Sequence, residues 1–588
     1  MRSSLSTGSP RFLPAGALET LVEKVKTSPV IGSLSAAVED QSRVIFGDIF
    51  WSVRKFIINL GALSIASHLK HIGFGTAHAY YPIMRGKNIE KPYDLIGLSC
   101  SEVNVPACLA RIRELREKLG KLPLILVGGP GIANWWKWHL GAGADGVILG
   151  DGQYPLTELI GMMLELHREG NLTLRGAFEK LNEAGALTGV RDLAFVEKSG
   201  EMRVNQPQGL VRDLDEYVPV DYSLIRGFAK APVKCVHHSS GCVYRCDFCS
   251  SIVNQRNCYR TVSVKRLLDD LKQAQREGYP EVFLASDLLL PGSTEYNRKM
   301  LRELAEGRRH RSIKTVISSQ TTVSSLHNLL FRNMGTKDES KWEYDPEGMK
   351  LLKDAGILRW ALGVEAFSDE ELARLGKDTR QSGSDTLRTL AALNQGGIQV
   401  HAMMMVHEDT PHERAVEIGR ILGDVGVYSA QFFHPTPMPQ TSWGASLFEQ
   451  GDTVLGSVGR EEVGASRFTA EHVVAAKRPD QAVRIVETCY DAFTSFGNIW
   501  RDLRRRGKRY NAILKLGTKA LVFGRRYLSP QYYEYTGSIL KGDYTYRNAG
   551  KELLPGVSFK DIGGMRLSFK VARLLREYRK QAKFAGAR

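Results

Sequence analysis

Three cysteines in the run Gly241-Cys242-Val243-Tyr244-Arg245-Cys246-Asp247-Phe248-Cys249-Ser250 constrain this chain more than any other feature. They put three thiolates on one tight loop, with no fourth at regular spacing. An iron-sulfur cubane held wholly by protein uses four thiolates, so three form a ligand set that leaves one iron open to a substrate or cofactor. Structural zinc is a competing reading. It wants four protein ligands, usually as two pairs, and His237, His238 or Cys258 could complete a set whose second pair is missing. A disulfide needs an oxidising compartment, and no stretch before the loop has the make-up of a secretory signal. Cys235 and Cys258, flanking the loop, read as buried small hydrophobes.

With 588 residues, 43% hydrophobic and 24% charged, the chain has the balance of several soluble globular domains. Its net charge is +16, concentrated late, in Arg501-Asp502-Leu503-Arg504-Arg505-Arg506-Gly507-Lys508-Arg509 and from Arg573 to Lys583. Such runs attract nucleic acid, anionic lipid or an acidic substrate. Without an aromatic platform or a nucleic-acid motif they read first as solvated helix faces, so a nucleic-acid partner is not expected and peripheral membrane contact stays open. Eight cysteines, three of them on one loop, fit a reducing interior, and the cytoplasm is the expected location. No window offers the apolar stretch of about 20 residues a spanning helix needs; Phe56 to Ile72 is broken by His68, Lys70 and His71.

The first 42 residues read as a leader, loose up to about Ala15. From 43 to 170, β-rich runs alternate with amphipathic helices: Val44-Ile45-Phe46, a helix Leu60 to Leu69, a strand Asp94 to Ser99, a helix Val105 to Leu119, and strands Leu124 to Val127 and Asp145 to Leu149. This rhythm predicts a parallel doubly wound sheet with ligands beyond the strands' carboxyl ends. Those ends carry Ser99, Ser101, Glu102, Gly128, Gly129, Gly150 and Gly152. The glycines let backbone approach a bulky ligand, or simply make tight turns. Residues 171–231 read as a linker, and 232–444 as a second βα series with the cysteine loop after its first strand. That order predicts a partial or full (β/α) barrel with its chemistry at the strand C-termini. From 445 to 588 the pattern is mainly helical and basic, with aromatic runs at Tyr527 to Tyr535 and Tyr544 to Tyr546; it reads as a substrate cap or as packing against the barrel.

Cys242, Cys246 and Cys249, with Phe248 before the last, closely resemble the CxxxCxxC signature of radical S-adenosylmethionine (SAM) enzymes. Gly363-Val364-Glu365, Leu375-Gly376-Lys377 and Thr436-Pro437-Met438-Pro439 extend the likeness, with Gln440 where glycine is usual. The resemblance implies a 4Fe-4S cluster on the three cysteines, with SAM chelating the open iron and cleaved by one electron to a 5′-deoxyadenosyl radical. It places Phe248, Asp287, Ser318, Gln320, Glu365 and His434 against SAM; Ser286 stands where an acidic partner of Asp287 is usual. Leu60 to Gly73, Tyr93 to Ser99, Val127 to Pro130 and Gly150-Asp151-Gly152 further resemble the N-terminal domain of the cobalamin-dependent class, a flavodoxin-like sheet holding the corrin over its strand ends. The Asp-x-His-x-x-Gly signature that supplies a lower cobalt ligand is absent, as in many members of that class. Trp135, Trp136 and Trp138 could cover a corrin but read first as packing.

The fold so implied is α/β, with a flavodoxin-like doubly wound sheet, a radical SAM partial barrel and a helical C-terminal region. The function implied is methyl transfer from methylcobalamin to an unactivated carbon or a phosphinate of a small molecule, served by a flavodoxin- or ferredoxin-type electron donor. Cyclisation or ring rearrangement with the same cofactors is the first alternative, and a noncatalytic iron-sulfur protein the second. Methylthiolation is disfavoured because those enzymes carry a second cysteine trio, for which Cys100 and Cys108 are too few.

Overall fold

The alternating apolar runs of the N-terminal half become one sheet because its central strands are buried on both faces, as parallel strands flanked by helices must be. The structure is a computed structural model that describes residues 14–528 apart from 27–43, 49–59, 74–76, 81–93, 101–104, 227–232, 333–342, 436–440, 444–478, 505–508 and a few shorter stretches. The leader up to residue 13, Ser101, Glu102, Trp135, the segment around Pro437, part of the first basic run, all of the second, and the aromatic residues beyond 528 lie outside the described residues.

Strands β1 (Val44–Asp48), β2 (Ala77–Tyr80), β3 (Leu95–Ser99), β4 (Leu124–Gly128) and β5 (Gly146–Ile148) are parallel and lie in the order β2-β1-β3-β4-β5. This is the flavodoxin-like order, whose switch point falls between β1 and β3. Short β8 (Ile225–Arg226) extends one edge, while β6 (Leu193–Val196) and β7 (Met202–Val204) add antiparallel strands to the other. Ile96, Leu98, Ile125, Val127 and Val147 pack against Ile112 and Leu115 of helix Val105–Leu119, with Trp136 and Trp138 partly buried against this core. The two tryptophans therefore pack.

A second parallel sheet carries β9 (Val233–His237), β12 (Glu281–Ala285), β13 (Val316–Thr322) and β16 (Ile357–Glu365), neighbours in that order. Its helices start where the sequence supplies caps. Ser263 accepts from the Arg266 amide ahead of helix Val264–Arg276, which buries Leu267, Leu268, Leu271 and Ala274 along one stripe. Ser382 and Asp385 form a capping box for helix Gly383–Gln395. Two short antiparallel pairs, β10 (Ser239–Ser240) with β11 (Arg260–Thr261) and β14 (Phe331–Arg332) with β15 (Glu343–Tyr344), lie outside both large sheets.

The chain divides into two compact units. Residues 1–364, 368–399 and 438–445 make the first; residues 365–367, 400–437 and those from 446 onward make the second. In the second unit β17 (Gln399–Met405) and β18 (Ser429–Phe433) pair in parallel, so the last barrel strands group with the C-terminal helices. Helix Pro479–Phe493 packs closely on helix His412–Val425: a Cβ on Gly419 would meet Ala492 Cβ at 2.6 Å. Phe432 stands edge-on to Tyr490 at 4.9 Å, and Lys515 pairs with Asp502 at 2.6 Å in full burial. The described C-terminal helices thus pack on this unit's βα elements, and none of the described helices is long and apolar enough to cross a membrane.

Candidate cofactor and active site

The cysteine loop leaves β9 and returns through β11, its ends closed by the β10–β11 pair, where Ser240 faces Arg260. Gly241 turns the chain at φ +86°, and a Cβ there would lie 1.8 Å from the Cys258 carbonyl oxygen, so only glycine fits. The Gly241 amide donates to Asp287 Oδ2 at 2.7 Å and the Ser251 hydroxyl to Oδ1 at 3.3 Å, which makes Asp287, just past β12, a clamp under the loop. Farther along, the Asp247 amide donates to the Gly376 carbonyl at 3.1 Å, while Ser442 Oγ donates to Asp247 Oδ1 at 2.9 Å and the Trp443 amide to the Asp247 carbonyl at 3.2 Å. Three separate chain segments therefore fix the loop in one unit.

Cys246 is buried and Cys242 and Cys249 half-buried. Burial pushes the Cys242 thiol up to about 12; the Tyr244 amide pulls it down, but Cys249 and Cys246 add to the rise. Three thiolates cannot share such a loop without a compensating cation, so the donor set fits a metal cluster that deprotonates them. The loop is not among the described groups whose donor atoms converge within 4.8 Å, as ligands of a single ion do. The suggested zinc partners have commitments elsewhere. His237 Nε2 meets Ser240 Oγ at 2.9 Å and Cys258 Sγ the Tyr259 carbonyl at 3.9 Å, and burial pulls His238 down to about 4. Cys235 and Cys258 are buried, at 2% and 6% exposure.

The other residues placed against SAM by sequence stand at strand ends with varied commitments. Ser286 bonds Ser239, Ser318 Oγ donates to the Val282 carbonyl at 3.3 Å, and the Gln320 carbonyl accepts from the Leu289 amide at 3.0 Å. Phe248 is half-buried between Asp247 and Cys249. The end of β16 is held by Lys377 Nζ on the Gly363 carbonyl at 2.6 Å and Gln381 Nε2 on the Val364 carbonyl at 2.8 Å. Glu365, its last residue, is 8% exposed with φ +61°. Such a backbone costs a non-glycine residue on the order of 1–3 kcal/mol and collects at functional sites. His434 has both ring nitrogens engaged, Nδ1 by the Pro435 carbonyl at 3.0 Å and Nε2 by Glu408 at 2.6 Å.

Within the first unit a cavity of about 800 Å³ opens over the carboxyl ends of β3, β4 and β5, a volume in the range of cofactor sites. Ser99, Gly128, Gly129, Gly150 and Gly152 line it. Three of these glycines answer to protein neighbours. A Cβ would fall 2.3 Å from the Cys100 carbonyl at Gly129, 2.4 Å from the Asp192 carboxylate at Gly150 and 3.0 Å from Ile65 at Gly152. At Gly128 it would meet only the Ile148 carbonyl, at 3.8 Å, so Gly128 is the glycine whose bareness the protein itself does not require.

Sequence reasoning missed the other walls. Leu214 to Tyr222, taken as linker, forms one wall; Cys235, His237 and Phe283 from the barrel strands β9 and β12 form another. His237 is thus the histidine lining the cavity, whereas His68 is buried with Nε2 on Thr157 Oγ1 at 2.6 Å. Asp151, between the two glycines, bonds Arg260 of β11 at 2.7 Å and accepts from Tyr217 Oη at 2.7 Å. Burial would raise the Asp151 pKa, but the Arg260 charge and both hydrogen bonds hold it below the ordinary carboxylate value. Asp192 pairs with Arg256 at 2.6 Å. One ion pair therefore ties the glycine turn, and a second ties Asp192 beside it, to the segment that returns from the cysteine loop.

Residues 236–418 match the Radical SAM superfamily. An uncharacterized methyltransferase of Pyrococcus horikoshii is 25% identical over 46% of this chain and 55% of its own length, and 4'-phospho-dehydrooxetanocin synthase of Priestia megaterium 27% identical over 39% and 31%. The chain thus spans about half or less of the relatives it matches. Two solved structures share the fold: the cobalamin-dependent SAM radical enzyme OxsB with aqua-cobalamin and SAM bound (TM-score 0.55, 15% identity, 93% of this chain and 82% of that one), and the radical SAM methyltransferase TsrM of Kitasatospora setae with tryptophan and a SAM analogue bound (TM-score 0.51, 14% identity, 70% and 77%).

Proposed function

We propose that this chain, whose residues 236–418 match the Radical SAM superfamily, is a cobalamin-dependent radical SAM methyltransferase acting on an unactivated carbon, or a phosphinate, of a small-molecule substrate. One observation carries the reading: the cavity over the flavodoxin-like strand ends is walled on another side by β9 and β12, the strands that bracket the cysteine loop. A planar cofactor lying on that sheet would therefore face the barrel. Cys242, Cys246 and Cys249 would hold a 4Fe-4S cluster; Phe248, Asp287, Ser318, Gln320, Glu365 and His434 stand where SAM is expected. Ser99, Gly128, Gly129, Gly150 and Gly152, with Ser101 and Glu102 of the undescribed segment, would receive the corrin.

When bound, the cluster and SAM supply one-electron radical chemistry, and cobalamin a transferable methyl group. The chain's own part is positional. Asp287 and Gly376 hold the cysteine loop, the Asp151–Arg260 pair holds the cavity floor to it, and Leu214 to Tyr222 supplies one wall of the cavity. An external flavodoxin- or ferredoxin-type protein would deliver the electron, in a reducing cytoplasm. The likeness to a synthase favours a second reading, cyclisation or rearrangement with the same cofactors.

Anaerobic reconstitution with iron, sulfide and hydroxocobalamin, then mass analysis of a reduced SAM incubation, tests both. Stoichiometric corrin with 5′-deoxyadenosine and S-adenosylhomocysteine is the expected outcome, and a product heavier by one methylene separates methylation from cyclisation. A cluster without corrin would overturn the methyl-transfer reading.

A further inference from the structure

The second unit holds a group of which only His434 enters the SAM reading. His407 and Glu408 follow β17, His434 follows β18, and their donor atoms lie within 4.8 Å of one another. Carboxyl ends of barrel strands are where such a fold places its chemistry. The backbone there is pinned, with the His407 amide on Thr410 Oγ1 at 3.2 Å and the Val406 amide on the Phe433 carbonyl at 2.9 Å.

The His434 tautomer decides what the group can hold. Its Nδ1 faces the Pro435 carbonyl at 3.0 Å, which can only accept, so Nδ1 carries a hydrogen and Nε2 is the ring atom left to meet a ligand. Nε2 lies 2.6 Å from Glu408 Oε2, and His407 Nε2 reaches the same oxygen at 3.5 Å. A positive centre, a proton or a metal ion, therefore belongs between Nε2 and Oε2. A backbone carbonyl behind the remote nitrogen is the support that metal-bound histidines use. His407 has its own, since Nδ1 lies 3.2 Å from Asp409 Oδ2; the Asp409 amide, 3.3 Å from the same nitrogen, permits the other tautomer when the site is empty. Access is graded, with side-chain exposure of 29% for His407, 7% for Glu408 and 1% for His434, so the group opens to solvent on one side.

The geometry points to a divalent-cation site on His407 Nε2, Glu408 and His434 Nε2, separate from the cysteine loop. Two imidazoles and one carboxylate suit a zinc-class ion, and three protein donors leave a position open for an oxygen or nitrogen of the substrate, which the ion would polarise. This assignment does not depend on the radical reading, and it gives His434 a part other than direct contact with SAM.

The test is equilibrium dialysis of the full-length, cluster-loaded protein against Zn²⁺, with zinc and iron counted together by mass spectrometry. One zinc per chain is expected to survive gel filtration. His434→Ala and Glu408→Gln should lose it with iron content unchanged, and His407→Ala, at a partly exposed position, should weaken it 10- to 100-fold. Cys246→Ala should lose iron and keep this zinc. A wild-type protein without stoichiometric zinc, or zinc indifferent to all three variants, would overturn the assignment and leave a shared proton between His434 and Glu408.

Discussion

Cysteine occurs in two opposed settings in the first unit. Cys242, Cys246 and Cys249 sit on a loop held by main-chain and carboxylate clamps, with two of the three thiols half-exposed. Cys100, just past β3, and Cys108, on helix Val105–Leu119, meet His139 with their donor atoms within 4.8 Å, yet all three residues are fully buried. Burial pushes the Cys108 thiol up; Cys100, equally buried, is held down by hydrogen bonds from Cys108 and His139. Leu98, Ile112 and Val127 belong to the same core. Converging donors are therefore not enough. A ligand position needs access as well as an anchored backbone; the loop has both, while the buried group, with the Cys100 amide on the Gly128 carbonyl at 2.8 Å, is anchored but closed.

The largest effect should come from Cys246→Ala, which removes a proposed cluster ligand whose backbone carbonyl also accepts the Cys249 amide at 3.0 Å. Cluster absorbance and SAM cleavage should both vanish; undiminished cleavage would erase the contrast between the two settings. Next comes Arg260→Met, which removes the buried guanidinium and leaves half-buried Asp151 with the Tyr217 hydroxyl, a loss of about 3 kcal/mol by urea unfolding, the low end for a broken buried pair. Asp151→Asn on that background should recover part of it. The pH dependence has a fixed sign. Because the folded-state pKa of Asp151 is depressed, the pair's contribution is full above the unfolded value near ~3.9 and is lost as pH falls through the folded one. Stability of the wild type minus that of the Met variant should shrink only in that acid window. Gly241→Ala should cost about 1–3 kcal/mol for its backbone alone, plus the displacement of the Cys258 carbonyl, read as a lower melting temperature and reduced iron loading.

How much of this was legible follows from the range of the forces. Strands β3 and β4 show as continuous apolar runs because both faces are buried, and helix Val105–Leu119 was read with its observed ends. The three loop cysteines show as a candidate ligand set because they are close in sequence. Strand β2 went unplaced, four residues whose pairing with β1 and β8 brings together distant parts of the sequence. The cavity wall at Leu214 to Tyr222 read as linker because its anchors are distant: the Asp221 amide bonds Ser67 across 154 residues, and Asp151 finds Arg260 across 109. Asp287 read as a cofactor contact because strand-end position is visible in sequence, whereas its grip on the Gly241 amide is visible only in three dimensions. The His407–Glu408–His434 group escaped notice for the same reason, since it forms only when two strand ends come together.

Cys108→Ala should produce the smallest effect and test the contrast most directly. The side chain is a small apolar filler in a closed core, so its loss should cost about 1 kcal/mol, with iron content, corrin content and SAM cleavage unchanged. Gly129 gives this variant a second readout, because its position admits no Cβ against the Cys100 carbonyl, 2.3 Å away, and both Ser99 and Gly129 line the cavity. If the buried group were only packing, corrin affinity should stay within about twofold of wild type, a difference of roughly 0.4 kcal/mol. A tenfold loss of corrin at unchanged iron would mean that the buried thiols set the shape of the cavity floor, and the two settings of cysteine would then serve one site.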